Sequence, residues 1–227
     1  MAIEVRILPA AELSVRDPQP TKLGRRILCE SITLLDEIGL EAFTFKKLAT
    51  RLESTEAGVY RYFSNKHQLL LYLVSWYWDW VHHLVNVSIS KEIDPLERLH
   101  AAVGALTRPS IANPAVPYIN ERTLHRVVVN EGSKAYHTKA VDQENQQGIF
   151  VGYKSLSEDV ARLILAVNPD FPYPRALATS LFEMAHNHPY FAEHLPRLTD
   201  IEQGPTQAAQ LEQMLLFWVD KLLTTHR

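Results

Sequence analysis

Between Phe45 and Phe63 the chain has room for two short helices and a tight turn, and for little else. Phe45, Leu48, Ala49 and Leu52 fall at i, i+3, i+4 and i+7, a helical stripe about two turns long. Thr44 stands where an N-cap oxygen would accept one of the helix's unpaired amides. Glu53-Ser54-Thr55 then carries turn and cap chemistry. Thr55, or Ser54, caps a third helix that has Glu56 in its first turn and ends near Phe63. Upstream, Leu23, Ile27, Leu34, Leu35 and Ile38 keep helical spacing from Thr21 until Gly39, a natural residue for a left-handed helix end. A longer helix followed by helix, turn and helix is the pattern of a helix-turn-helix DNA reader, and a plain helical bundle satisfies the spacing as well.

Ser64 or Asn65 caps a fourth helix from Lys66 through "HQLLLYLVSWYWDWVHHLV", apolar almost all round and therefore covered on most sides. Helical signals continue at roughly 94–108, 117–130, 134–147, 156–167, 173–188 and 206–224, with Pro-bearing breaks between them. Ile3, Val5 and Ile7 alternate, over too short a run to carry a fold. The fold class expected is all-α.

With 227 residues, 46% of them hydrophobic, the chain can bury a sizeable core. A net charge of −3 excludes a protein that is basic throughout, so any nucleic-acid site has to be local. Lys46, Lys47, Arg51, Arg61 and Lys66 outnumber Glu53 and Glu56 and make this stretch locally positive. A solvated helix face would look similar. The only cysteine, Cys29, leaves no internal disulfide and no cysteine metal cluster, and suits a reducing compartment. No export signal and no run long enough to span a membrane is visible, so the cytoplasm is the expected location, with no membrane partner.

The stretch "ESTEAGVYRYFSNKHQLL" crowds Tyr60, Tyr62 and Phe63 around Arg61, with Lys66 just beyond. A core helix has no place for the cations, and a solvated face leaves the aromatics wet. At "FTFKKLATRLESTEAGVYRYFSNKHQLL", within about residues 21–70, the sequence resembles the DNA-binding domain of the TetR family of transcriptional regulators. Thr44, Leu48-Ala49, "VYRYF", Lys66 and Leu69 carry the likeness. The chain departs from the family in three places. Its turn reads Leu52-Glu53-Ser54-Thr55 instead of Ala-Gly-Val-Ser, Ala57-Gly58 replaces the usual Gly-Thr or Gly-Ala pair, and His67 replaces an acidic residue.

The resemblance implies an N-terminal arm over 1–20, a three-helix DNA-binding domain over 21–68, and a larger helical effector-binding and dimerisation domain over 69–227. It also implies that the third helix reads double-stranded operator DNA, that Tyr60, Tyr62 and Lys66 meet phosphates, and that Thr44 and Arg61 belong to the same surface. A phenol suits that role, because its ring packs on protein while its hydroxyl meets a phosphate. Val59 and Phe63, four apart, face inward. Base-edge contacts would come from Thr55, Glu56, Ala57 and Gly58, with Lys46 from the second helix. Glu56 either accepts from cytosine or only favours the helix N-terminus.

The family couples this domain to a homodimerising body that usually binds a small effector. Trp76, Trp80 and His83 are candidates for that site, with Arg122, His125 and Arg126 as donors, and core packing explains the tryptophans equally. In the last helix Leu211, Met214, Leu215, Trp218 and Leu222 form one apolar face, expected to dimerise, while Leu216, Phe217, Val219 and Leu223 widen it. The rival class is a metal protein or enzyme built on Glu183, His186, His188 and His194, although the helix is expected to break at Pro189. No zinc-protease, phosphate-loop or nucleophile-elbow motif accompanies that cluster. The expectation is a non-enzymatic regulator, most often a repressor in this family, with no cofactor and no metal.

Overall fold

The computed structural model describes residues 7, 9, 13–108 and 116–224, and all regular structure among them is helical. The alternating Ile3 and Val5 lie outside the described residues. α1 (Lys22–Ala42) begins where the Thr21 hydroxyl accepts from the Gly24 amide. It kinks at Gly39, whose φ of 70° is open to a residue without Cβ, and closes with the Phe43 N–H on the Gly39 carbonyl. α2 (Phe45–Arg51) and α3 (Glu56–Tyr60) are capped by Thr44 and Thr55 as their positions predict. α3 stops earlier than expected, and Phe63 follows it in irregular chain. α4 (Lys66–Ile89) starts with the Asn65 side chain accepting from the Gln68 amide.

Beyond α4 come α5 (Pro95–Leu106), α6 (Glu121–Glu131), α7 (Ser133–Tyr136), α8 (Val141–Gln146), α9 (Val151–Val167), α10 (Pro174–His194), a 3-10 turn at Pro196–Leu198, and α11 (Gln207–Thr224). Two expectations fail here. The single helix foreseen over 134–147 is split into α7 and α8, because His137 takes a non-helical conformation. α10 runs straight through Pro189 to His194, with Leu181, Ala185 and Ala192 buried on either side of it. That packing outweighs the roughly 3 kcal/mol an interior proline costs.

The chain divides into two compact units. One takes residues 1–80 and 110–152, the other 81–109 and 153–227. In the first, α1 lies against α2 and α6, and Arg126 of α6 grips Asp36 of α1 with two hydrogen bonds of 2.9 and 2.6 Å. Gly152 has to be glycine, since a Cβ there would come within 1.8 Å of the Asp79 carboxylate. The arm before α1 is bound in as well. Leu13 is fully buried, the Val15 amide donates to the Tyr62 carbonyl at 2.9 Å, and the Pro18 carbonyl crosses Gly24 so closely that a Cβ would meet it at 2.1 Å.

In the second unit α11 packs on α5 and α10, and His100 of α5 pairs with Asp220 at 2.8 Å. The face of α11 turned inward is Leu211, Leu215, Val219 and Leu223 at regular i, i+4 steps. This corrects the expected dimer face: Leu211 and Leu215 belong to the subunit core. Phe217, Trp218 and Leu222 stand outward at 55%, 47% and 44% exposure, with Met214 half-buried beside them. No described helix is long and apolar enough to cross a membrane.

Candidate nucleic-acid interface

The helix-turn-helix is held from behind by side chains that never reach its outer face. Leu48, Leu52, Val59 and Phe63 are buried, and the Arg26 guanidinium donates to the Leu52 carbonyl at 2.9 Å, fixing the turn against α1. Arg51 bridges Glu30 at 2.7 Å and chelates Glu37 through both terminal nitrogens, which holds the Glu37 carboxyl below its ordinary range. Arg51 therefore stitches α2 to α1 and adds little free charge to the surface. In the turn itself Glu53 takes φ of 50°, the left-handed conformation for which the family's usual turn supplies glycine.

What remains outward is polar and cationic. Thr44, Lys46, Thr55, Glu56, Ala57, Tyr60 and Arg61 are all exposed, and neither Lys46 nor Arg61 has an ion-pair partner among the described residues. The hydroxyls of Thr44 and Thr55 accept from the Lys47 and Gly58 amides and keep their own O–H free to donate. Tyr60 divides as its chemistry suggests. Its ring meets Phe45 edge-on at 5.0 Å while half of the residue stays in solvent.

Three expected DNA contacts are placed otherwise. Tyr62 is only 3% exposed, and its hydroxyl shares a 2.8 Å hydrogen bond with Thr21, so it locks the arm-to-α1 junction. Lys66 donates to the carbonyls of Leu40, Glu41 and Phe43 at 2.8 to 3.3 Å, which closes the C-terminal end of α1. Gly58 is buried, with Leu23 of α1 lying 3.8 Å from where its Cβ would sit. Sequence reasoning assigned nothing to Arg16, an exposed cation whose guanidinium lies 5.8 Å from the centre of the Tyr62 ring.

Most of the residues expected to line an effector site are engaged in packing or pairing. Trp76 and Trp80 are fully buried and stacked at 5.9 Å, and the Trp76 N–H has no hydrogen-bond partner among the described residues. His125 shares a 2.9 Å hydrogen bond with Tyr77, and burial, with the nearby Arg126 charge, pushes its pKa down to about 4. Arg126 is taken by Asp36, Arg122 is exposed, and His83 is half-buried. At the other cluster His188 bonds the Thr199 hydroxyl at 2.8 Å and His194 lies on the Tyr190 ring. No group of three or more metal-ligating side chains is found among the described residues.

Comparisons with known proteins agree on the first domain. The family described as bacterial regulatory proteins, tetR family, matches residues 27–73. Among solved structures, a tetR-family regulatory protein from Rhodococcus RHA1 shares 20% identity over 88% of this chain and 97% of its own, with a TM-score of 0.65. AibR in complex with isovaleryl coenzyme A and operator DNA shares 16% over 88% and 98%, at 0.60. The ketosteroid transcriptional regulator KstR2 of Mycobacterium tuberculosis shares 16% over 88% and 93%, at 0.57. At such identities the likeness speaks for the fold alone. No curated protein sequence matches. Residues 27–73 thus match the DNA-binding segment of the tetR family, in a chain whose described residues share their helical fold with solved tetR-family regulators.

Proposed function

We propose that the protein is a repressor which, as a homodimer, holds a near-palindromic operator with two copies of α3 and releases it when a small molecule binds its larger helical part. One observation carries this reading: the outer face of the helix-turn-helix keeps Lys46, Thr55, Glu56, the Tyr60 hydroxyl and Arg61 exposed, while the cations behind it are consumed in holding the fold. AibR, captured with operator DNA and an acyl coenzyme A, supports both partners by likeness of fold. The DNA-binding domain is assigned to 21–68 and the effector and dimer functions to 69–227. The protein acts on chromosomal DNA in the cytoplasm and catalyses no reaction.

The effector is assigned to the neighbourhood of the Trp76–Trp80 stack and His125, where the Trp76 indole N–H has no hydrogen-bond partner among the described residues. A ligand displaces DNA only if it binds the two conformations with different affinity. Dimerisation is assigned to the outward face of α11. The deciding experiment is selection of genomic fragments by the purified protein, followed by sequencing. A two-fold dimer returns an inverted repeat with half-site centres about one helical turn, roughly 34 Å, or a multiple of it apart. Fragments without any shared sequence would remove the regulator reading.

A further inference from the structure

The arm ahead of α1 is fastened to the first compact unit on both sides of a short outward stretch. Leu13 is fully buried on one side of it. On the other, Gln19 is buried and its side-chain amide donates to the Ile7 carbonyl at 2.5 Å. Between these anchors Val15 stands 64% exposed and Arg16 is exposed as well. Ordering a chain segment costs conformational entropy, and here it presents a cation to solvent in a defined place.

Tyr62 sets that place. Its carbonyl accepts from the Val15 amide at 2.9 Å, its hydroxyl shares a 2.8 Å hydrogen bond with Thr21, and its ring lies under the Arg16 guanidinium, 5.8 Å from centre to carbon. The ring engages one face of the guanidinium and none of its five N–H donors. Arg16 has no hydrogen bond and no ion pair among the described residues. Tyr62 directly follows Arg61, the exposed cation that ends α3, so the arm brings a second guanidinium to the end of the helix that faces DNA in the proposed function.

Contacts to phosphates fix a protein's register on a duplex before any base is read. Tyr62 and Lys66, the side chains expected to make them next to α3, are spent on Thr21 and on the end of α1. Arg16 covers the ring of that same Tyr62 with its donors unspent, and a planar fork matches two phosphate oxygens. We propose that Arg16 contacts a backbone phosphate beside the half-site read by α3, so that the buried tyrosine supports the contact that the arginine makes. The inference rests on the regulator reading.

The test compares wild-type, Arg16→Gln and Arg16→Lys proteins, with thermal midpoints read alongside because the side chain is exposed and both variants should stay folded. Duplex binding is titrated with salt, and ethylation interference on the selected operator reports which phosphates matter. Arg16→Gln lowers the salt slope by about one per subunit on operator and random duplex alike. In its interference pattern one phosphate per half-site falls silent while the others persist. Arg16→Lys, which keeps a charge over the ring, retains the wild-type slope. The proposal is overturned if folded Arg16→Gln keeps the wild-type slope, if its interference pattern is that of the wild type, or if Arg16→Lys loses as much slope as Arg16→Gln. Any of these results leaves the regulator reading standing, whereas wild-type protein that binds no duplex at all removes both.

Discussion

Glu53 holds a left-handed φ of 50° in the turn between α2 and α3, where a Cβ crowds the following carbonyl. Replacing it with glycine removes that strain at the cost of a more flexible unfolded chain. Glu53→Gly is expected to raise unfolding free energy by about 1 kcal/mol, read from the urea midpoint, with DNA affinity unchanged or improved. Loss of stability would show that the glutamate makes a compensating contact. His125 supplies a second measurement at this scale. Its folded pKa of about 4 lies below the ordinary 6.5, so the unfolded chain binds the proton more readily. The contribution of neutral His125 is complete above the unfolded value and is lost as pH falls from there toward the folded one. The loss is at most about 3 kcal/mol, given 1.36 kcal/mol per unit. Urea midpoints should fall over that window in wild-type protein and fall less in His125→Asn, which keeps polar bonding to Tyr77 but does not titrate. Equal slopes in both proteins would assign the acid sensitivity elsewhere.

Among the elements, α11 has the clearest division of labour. Leu211, Leu215, Val219 and Leu223 are spent inside the subunit, which leaves Phe217, Trp218 and Leu222 as a stripe of apolar surface facing water. Trp218→Glu and Leu222→Glu should each shift light scattering at micromolar concentration from dimer toward monomer while circular dichroism stays native. Leu215→Glu should instead unfold the chain, because it buries a charge with no partner. Monomeric wild-type protein would end the dimer assignment. The sequence showed that α11 is apolar on two sides, but not which side the subunit keeps, since periodicity marks faces without naming their partners. Helix starts were legible because Thr21, Thr44, Thr55 and Asn65 act within one turn of themselves. The continuation of α10 through Pro189 and the break at His137 were not, since packing from distant segments decided both. The interface divides in the same way: Tyr60 was legible from its own helix, whereas Tyr62 and Lys66 were captured by Thr21 and by the end of α1, partners far away in sequence.

At the scale of the whole molecule, the proposed operator binding and the maintenance of the fold draw on neighbouring cations, and the structure separates those without an ion pair among the described residues from those spent on the fold. Lys46 stands exposed on α2 with no ion pair among the described residues, whereas Lys66 is bonded to three carbonyls at the end of α1. Their alanine variants should therefore fail in different ways. Lys46→Ala should leave the thermal midpoint in place. If it reaches a base edge, it should cost roughly 1–3 kcal/mol at the selected operator with less effect on random duplex. If it meets only phosphate, both DNAs should weaken alike and the salt slope fall by about one per subunit. Tyr60→Phe should weaken both DNAs without changing the slope, because it removes a neutral hydroxyl whose ring stays packed on Phe45. Lys66→Ala should lower stability by about 1 kcal/mol or more, as lost hydrogen bonds from a charged donor do. In the fraction that remains folded, its salt slope should equal the wild-type value. A slope lowered in Lys66→Ala at unchanged stability would show that the ammonium leaves α1 for a phosphate when DNA arrives. The cap described here would then be the resting position of a DNA contact.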